Sequence, residues 1–491
     1  FFQGVFVKKN YRYSAVLCAM FISILSVNAQ STSIENVYHY TLKNGLQLFV
    51  AENDSVPLTY IELAVRGGGI SQTEETVGLF HLYEHMIFKG NTKYPGAAAV
   101  QRAIKDLGVP SWNGTTSNEY VNYFFTVPSD LTYEGLEFWS YAIREPLLDE
   151  QEFENEKKVV IAELQGGYSE PSRIFYNALY KNAFPDTPWQ FDPGGDVANI
   201  QTSTLEELKE MQATYYVPNN TAVFVGGDVR HDEVYAMVEE IFGDWEKAAD
   251  PWADKSYLVP NEAFTNQLLL VQANPQVSNQ MAQVNVFYRG PDTEADINAT
   301  YPADVFAALA ANPNSNFTQA YVDIPDLGIP NSDYVGAGYR TARNGSMVSF
   351  SAAMLFPFEN IVDRVMLFAD TTQNMANDIV FDPDFFTLSE YAGAKRFMQD
   401  SQIYQTQTPQ GLLSIIRYYW ASAGVGYYFD YLQNLNAVQA GDMADFFDTY
   451  ILGENAIITV TVNPTVYEAQ KSDFEQAGFT LITDENAFWW K

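Results

Sequence analysis

The stretch Gly78-Leu79-Phe80-His81-Leu82-Tyr83-Glu84-His85-Met86-Ile87-Phe88 places three groups able to hold and use a metal within five residues. His81 and His85 stand four apart with Glu84 between them, so a helix aims both imidazoles at one point with the carboxylate beside it. That is the geometry of a zinc site. The chain has four histidines, His39, His81, His85 and His231. Two of the four at helical spacing argue for a joint role, with a pair merely satisfied in a core as the alternative.

A hydrolytic zinc takes three protein ligands and keeps one position open. The third has to come from another element, and the helix expected over Asp149 to Leu164 offers two candidates by its pattern. Seven residues turn a helix through about 700°, so Glu156 and Glu163 point almost the same way, along a face shared with Phe153 and Val160. Glu152, Glu154, Lys157 and Lys158 form the solvated side. An unpaired carboxylate on the apolar stripe is costly, and a metal or a ligated histidine would offset that cost. Two acids on an exposed helix end is the plainer alternative.

Around this stretch, 491 residues exceed one ordinary core and suggest several domains. With 47% hydrophobic and 15% aromatic residues, a sizeable interior can form. Lys8, Lys9 and Arg12 precede an apolar run from Ala15 to Val27, and Val27-Asn28-Ala29 offers small residues for cleavage before Gln30, so residues 1–29 read as a secretory signal. The run is short for a transmembrane helix. The mature chain is therefore expected to be exported, to the periplasm or beyond the cell, without stable membrane insertion. Cys18, the single cysteine, lies inside that segment, so no disulfide is expected after cleavage. The formal charge of −34 argues against nucleic acid and anionic lipid as partners. It favours cationic or neutral substrates, or simply keeps an exported protein soluble.

Residues 30–245 read as one unit. Val37 to Ala51 alternate around Asn44-Gly45, the strongest short hairpin signal, and a third strand follows over Thr59 to Val65. Thr73-Glu74-Glu75 offers a cap and an acidic first turn for the helix carrying His81. Further helices are expected over Ala97 to Leu107, Leu136 to Ile143, Leu205 to Gln212 and Asp232 to Phe242, with a strand pair over Asn113 to Val127 and a buried strand at Thr221 to Gly227. Residues 246–262, with Pro251, Trp252 and Pro260, read as a linker. Residues 263–491 repeat the order: strands at Gln267 to Gln272 and Ala282 to Tyr288, a helix over Ala303 to Leu309, and a helix at Ala440 to Tyr450 running into a strand at Ala456 to Val462. Two α+β halves related by duplication is the economical reading.

The motif His81-Leu82-Tyr83-Glu84-His85, continuing to Gly90, resembles the inverted zinc motif H-x-x-E-H of the insulinase and pitrilysin peptidases, the family that includes mitochondrial processing peptidase, and within it the processing-peptidase-like zinc-bearing subunits. In that family a glutamate some seventy-odd residues downstream is the third ligand, preceded seven residues earlier by another glutamate. Glu163 and Glu156 stand at those places. Asn113-Gly114-Thr115-Thr116-Ser117 is similar to the family's Asn-Ala-x-Thr segment, an edge strand that pairs with substrate backbone, with Gly114 in place of the alanine.

The resemblance implies an α+β fold of two duplicated halves, each a mixed, mostly antiparallel sheet packed with helices on one side. It implies a zinc-dependent endopeptidase in which His81, His85 and Glu163 hold Zn2+, Glu84 is the general base, and Glu156 orients a ligand histidine. Asn113, Gly114, Thr115 and Thr116 would bind a short or unstructured peptide by adding it to the sheet edge. Active members also need an Arg and a Tyr seven apart, from the C-terminal half or a partner, to polarise the substrate carbonyl. Val322 and Ile329 take those places here, and neither donates a hydrogen bond; Tyr334, Tyr339 and Arg340 lie nearby at the wrong spacing. The expectation is a heterodimer whose partner, an Arg/Tyr-bearing homologue, completes the site. The rival is a non-catalytic peptide-binding or scaffold subunit, and a metal-free structural protein is a third reading.

Overall fold

The computed structural model describes residues 36–254, 258–259 and 262–490. The 1–29 segment, with Cys18, and part of the 246–262 stretch lie outside the described residues. Each half of the chain builds one six-stranded sheet.

In the first half, Gly45 at φ 91° turns the hairpin of β1 (Val37–Thr41) and β2 (Gln47–Glu52). With β3 (Leu58–Arg66), β4 (Trp112–Thr116), β5 (Tyr120–Pro128) and β6 (Thr221–Gly227) it forms a sheet in the order β1-β2-β6-β3-β5-β4. The helices are α1 (Leu79–Ile87), α2 (Ala97–Asp106), α3 (Thr132–Arg144), α4 (Glu150–Gly167), α5 (Pro171–Ala183), α6 (Val197–Thr202), α7 (Leu205–Tyr215) and α8 (His231–Phe242).

In the second half β7 (Leu268–Ala273), β8 (Met281–Arg289), β9 (Val335–Tyr339), β10 (Met347–Leu355), β11 (Ile457–Val462) and β12 (Thr480–Ile482) run in the order β12-β7-β11-β8-β10-β9. Its helices are α9 (Ile297–Ala310), α10 (Asn316–Val322), α11 (Ile361–Phe381), α12 (Leu388–Gln405), α13 (Pro409–Ser422), α14 (Val425–Ala437), α15 (Ala440–Tyr450) and α16 (Pro464–Ala477). The duplication is explicit in the topology. The set β2-β6-β3-β5-β4 matches β7-β11-β8-β10-β9 in order and sense, with β2/β6 and β7/β11 as the parallel pairs. Only the outermost strand differs, since β1 joins β2 antiparallel whereas β12 joins β7 parallel.

Alternation along the strands sends one set of side chains to each face. In the first sheet Leu48, Val50, Leu63 and Val223 meet the helices of their own half, among them Phe138 and Trp139 of α3. The opposite face, with Phe49, Ala64 and Phe224, is covered by Leu413, Ile416 and Trp420 of α13, a helix of the second half. The second sheet answers in kind: Val284, Val286 and Phe350 face α9, α11 and α15, while Leu270, Phe287 and Ile457 are covered by Ala178 and Leu179 of α5 from the first half. Each sheet thus has its own helices on one side, as the sequence suggests, and one helix from the other half on the second.

The last residue of each long central strand secures the helix received. Arg66 donates from Nε and Nη2 to the Trp420 carbonyl at 3.2 and 2.7 Å, its guanidinium 4.4 Å over the Trp420 ring. Arg289 donates from Nη2 to the Ala183 carbonyl at 2.7 Å, 4.2 Å over the Phe184 ring. Both guanidiniums meet carbonyls of a last helical turn, where positive charge is favourable.

Counted from Arg66 and Arg289, the places of His81, Glu84 and His85 are taken in the second half by Asp304, Ala307 and Ala308. Asp304 accepts from Thr341 Oγ1 at 3.2 Å and from the Tyr431 hydroxyl at 2.8 Å. Burial pushes its carboxyl up from 3.8 to about 7 against those two hydrogen bonds. The folded chain therefore keeps a proton that the unfolded chain releases. This group's contribution to stability is whole below about pH 4 and is lost as the pH rises to about 7. Asp304→Asn retains an oxygen for both hydroxyls and carries no charge. Urea unfolding should find the variant more stable than the native chain at pH 8, with the difference vanishing toward pH 4; equal stabilities at pH 8 would contradict this account.

Candidate metal centre and substrate cleft

α1 does not begin on Thr73-Glu74-Glu75. Those residues close their own exposed turn, Thr73 N donating to Thr76 Oγ1 at 2.8 Å and Thr73 Oγ1 to Glu75 Oε2 at 2.8 Å. The helix starts instead after Gly78, at φ 93°, with no acidic residue in its first turn. Gly78 is required by packing as well as by backbone angle, since a Cβ there would lie 2.9 Å from Gly195 Cα and 2.7 Å from Ile200 Cδ1. This backbone contact lays the 192–196 loop across the start of α1, beside His81.

The structure brings His81, His85 and Glu163 together. One donor atom from each lies within 4.8 Å of the others, and among the described residues no other such group of three is found. His81 Nδ1 faces the Gly194 carbonyl at 3.0 Å and His85 Nδ1 faces Glu156 Oε2 at 3.1 Å. Both partners are acceptors, so each Nδ1 carries the proton and donates it. The Nε2 atoms are left facing Glu163 at 3.8 Å (His81 to Oε1) and 3.6 Å (His85 to Oε2). Two imidazole nitrogens and a carboxylate oxygen converging in this way are a donor set able to hold a cation. Zinc bonds of about 2.05 Å at tetrahedral angles put ligand atoms about 3.4 Å apart, so a small closing movement suffices and the residues fit zinc. Glu163 is 57% exposed, which leaves one side of the cluster open to the cleft.

Glu156 is buried, with its side chain 6% exposed, and receives Lys89 Nζ at 2.6 Å as well as His85. Burial raises its carboxyl, but the hydrogen bonds from His85 and Lys89 outweigh burial and hold it below the usual carboxylate range. Lys157 departs from the solvated side expected of it. It is buried, and its Nζ donates to the Ser203 carbonyl at 2.9 Å because α6 and the loop after it cover that flank of α4. Glu84 lies beside the cluster and against β4, accepting from Thr116 Oγ1 at 2.7 Å on Oε2. Burial pushes the Glu84 carboxyl up despite that hydrogen bond and the nearby imidazoles. Gly114 gives it room, since a Cβ there would lie 2.8 Å from Glu84 Cγ and Oε1.

Asn113, Gly114, Thr115 and Thr116 form β4, the edge strand, which pairs with β5 alone. They line one wall of a cleft of about 530 Å³ whose other walls include His81, Glu84, His85, Glu163, Arg173 and Asp192. Arg173 and Asp192 also border a second cleft of about 340 Å³, which continues past Tyr176, Tyr180, Trp189 and Phe191. Val322 ends α10 against the second half's core and Ile329 is buried. Tyr339 ends β9, Tyr334 stands just before that strand, and Arg340 lines a further cavity with Tyr176 and Tyr180, apart from the metal cleft. Lys89, Gly194, Arg173 and Asp192 carry no signal of a site role in the sequence. Of these only Lys89, four residues after His85, could have been placed beside it from helical spacing.

Two family models match the chain, one described as insulinase (peptidase family M16) over residues 48–191 and one as the peptidase M16 inactive domain over residues 202–326. A probable mitochondrial-processing peptidase subunit beta of Arabidopsis thaliana is 28% identical over 222 residues, 45% of this chain and 41% of that protein. The zinc protease PqqE of Helicobacter pylori is 28% identical over 238 residues, 48% and 52%. The chain thus spans about half the length of the curated relatives it matches. In fold it is similar to the crystal structure of the periplasmic protease PqqL from Escherichia coli, with a TM-score of 0.71 at 16% identity over 92% of this chain and 51% of that one. Two matched models covering more than half the residues, on a fold shared with an M16-like peptidase of known structure, place this chain in the insulinase (M16) family of peptidases.

Proposed function

We propose that this chain is the zinc-bearing catalytic subunit of an exported endopeptidase that cleaves short or unstructured peptides. The observation that carries the reading is the convergence of His81 Nε2, His85 Nε2 and a Glu163 oxygen at the open end of a cleft, with Glu84 held beside them by Thr116. His81, His85 and Glu163 would hold zinc, which when bound supplies a Lewis acid and brings the pKa of a water to about 7. Glu156 and Lys89 fix the His85 ring from behind, as carboxylates behind ligand histidines commonly do.

The chain's own groups then divide the work. Glu84 Oε2 is engaged by Thr116, so Oε1 is the atom that takes the proton from the attacking water and returns it to the leaving amine. The free edge of β4 at Asn113 to Thr116 takes an extended peptide as an added strand, reading main chain more than side chain, which favours broad specificity. Arg173 and Asp192 are shared with a second cleft, which offers further surface to such a peptide. With Val322 and Ile329 at the places of the carbonyl-polarising pair, the reading includes a partner of similar fold that supplies Arg and Tyr. A relative named as a subunit supports it. Export is supported by the leader-like 1–29 segment and by a protein of like fold that is described as periplasmic. Among the described residues no helix is long and apolar enough to cross a membrane.

Glu84→Gln keeps the shape of the side chain and removes the base. Turnover of an unstructured fluorogenic peptide should fall by about 10²- to 10⁴-fold while zinc content measured by atomic emission stays at the native level. Equal loss in both, or none in either, would count against the assignment, and a native chain with no turnover under any condition would favour the scaffold reading.

The partner is tested separately. The isolated chain should cleave slowly, and adding an exported homologue that carries Arg and Tyr but lacks H-x-x-E-H should raise kcat/KM by about 10²-fold or more, the scale of an oxyanion donor. Full activity of the isolated monomer would refute the two-subunit form.

A further inference from the structure

His85 and His81 are supported in different ways. His85 leans on a charged side chain, Glu156, which is itself fixed by Lys89. His81 leans on a main-chain carbonyl, that of Gly194, in the segment Pro193-Gly194-Gly195, where Gly195 sits at φ 99°. A segment with two adjacent glycines has no side chain of its own to hold that carbonyl still. The hold comes from Asp192. Its Oδ1 accepts the Gly194 N–H at 2.8 Å, its main-chain carbonyl accepts the Gly195 N–H at 2.9 Å, and its Oδ2 accepts Arg173 Nη2 at 2.9 Å and Nε at 3.0 Å. Both partners are largely shielded, with side chains 21% and 19% exposed.

Arg173 also touches the other ligand's helix. Its guanidinium lies over Gly167, one turn beyond Glu163 in α4, so closely that a Cβ on Gly167 would fall 2.4 Å from Nη1. A Cβ on Gly194 would meet Asp192 Oδ1 at 3.1 Å, Arg173 Nη2 at 3.6 Å and Leu164 Cδ2 at 3.6 Å. One side chain thus joins the helix of Glu163 to the loop that orients His81.

Resting on the reading of His81, His85 and Glu163 as zinc ligands, we infer that Arg173 is a positioning residue for the metal: through Asp192 and the Gly194 carbonyl it sets the tautomer and ring orientation of His81, and across Gly167 it sets the distance of Glu163 from that ring. It touches neither metal nor reacting atoms. Outer partners of ligand histidines commonly govern affinity by about 10- to 100-fold.

The test is the zinc dissociation constant of the full-length chain, by competition with a chelating dye, together with the visible spectrum of the Co2+-loaded protein and the melting temperature of the metal-free protein. Arg173→Met should weaken zinc by about 10- to 100-fold and shift the Co2+ bands. Arg173→Lys, which can donate to Asp192 through a single ammonium, should fall between it and the native chain. Gly167→Ala gives an independent arm, because alanine favours the helix yet its methyl displaces the guanidinium. It should weaken zinc without lowering the melting temperature, a separation that a purely structural role does not produce. Native affinity in Gly167→Ala and Arg173→Lys, with zinc bound tightly by the native chain, would overturn this inference alone. A native chain that takes up neither zinc nor Co2+ would overturn the metal site itself and the inference with it.

Discussion

Burial of α13 on the first sheet and of α5 on the second holds the two halves together. A sheet with helices on one face leaves the other wet; here Leu413, Ile416 and Trp420 close one such face and Ala178 and Leu179 the other. Each large side chain so buried contributes roughly 1.5–3 kcal/mol. The buried carboxylate caught in the seam is paired. Glu62, with no exposed side-chain surface, accepts from Arg417 of α13, from Asn122 and from the Tyr60 hydroxyl. Breaking one side of a buried pair of this kind costs about 3–5 kcal/mol, which holds α13 to its place on the sheet.

The proposed metal site is tied to that seam by a short piece of chain. α4 carries Glu156 and Glu163 and ends at Gly167; α5, which crosses to the second sheet, begins at Pro171. Between them Tyr168 accepts the Val197 N–H on its hydroxyl at 3.0 Å, tying the turn to the start of α6. Arg173, on the first turn of α5, ties it to the loop behind His81. The helix of Glu163, the loop that faces His81 and the helix that docks the halves therefore share one junction. The topology repeats in the two halves, but the His-Glu-His set does not. At the places of His81, Glu84 and His85 the second has Asp304, Ala307 and Ala308, and the buried Asp304 carboxyl is bonded by two hydroxyls.

Most of the site's core is written in local pattern. The four-residue spacing of His81 and His85, and the seven-residue spacing of Glu156 and Glu163 on an apolar face, convert directly to geometry because a helix has a fixed pitch. The hairpin at Asn44-Gly45 and the repeated order of strands and helices are legible for the same reason. What pattern could not supply depends on chain segments far apart. Lys157 looks solvated on its helix wheel but is covered by the segment at Ser203. The start of α1 is decided at Gly78 by a backbone contact with Gly195, against the local signal of Thr73-Glu74-Glu75. The support of His81 spans 113 positions, and the exchange of α5 and α13 is invisible to any window of sequence.

The claim on which the rest stands is that His81, His85 and Glu163 hold one zinc ion between them. Anomalous diffraction from crystals of the full-length protein, recorded on either side of the zinc absorption edge, tests it most directly. The account predicts a single strong peak about 2 Å from His81 Nε2, His85 Nε2 and a Glu163 carboxylate oxygen, absent below the edge. A zinc-supplemented crystal with no peak there, or with its peak on other side chains, would contradict it.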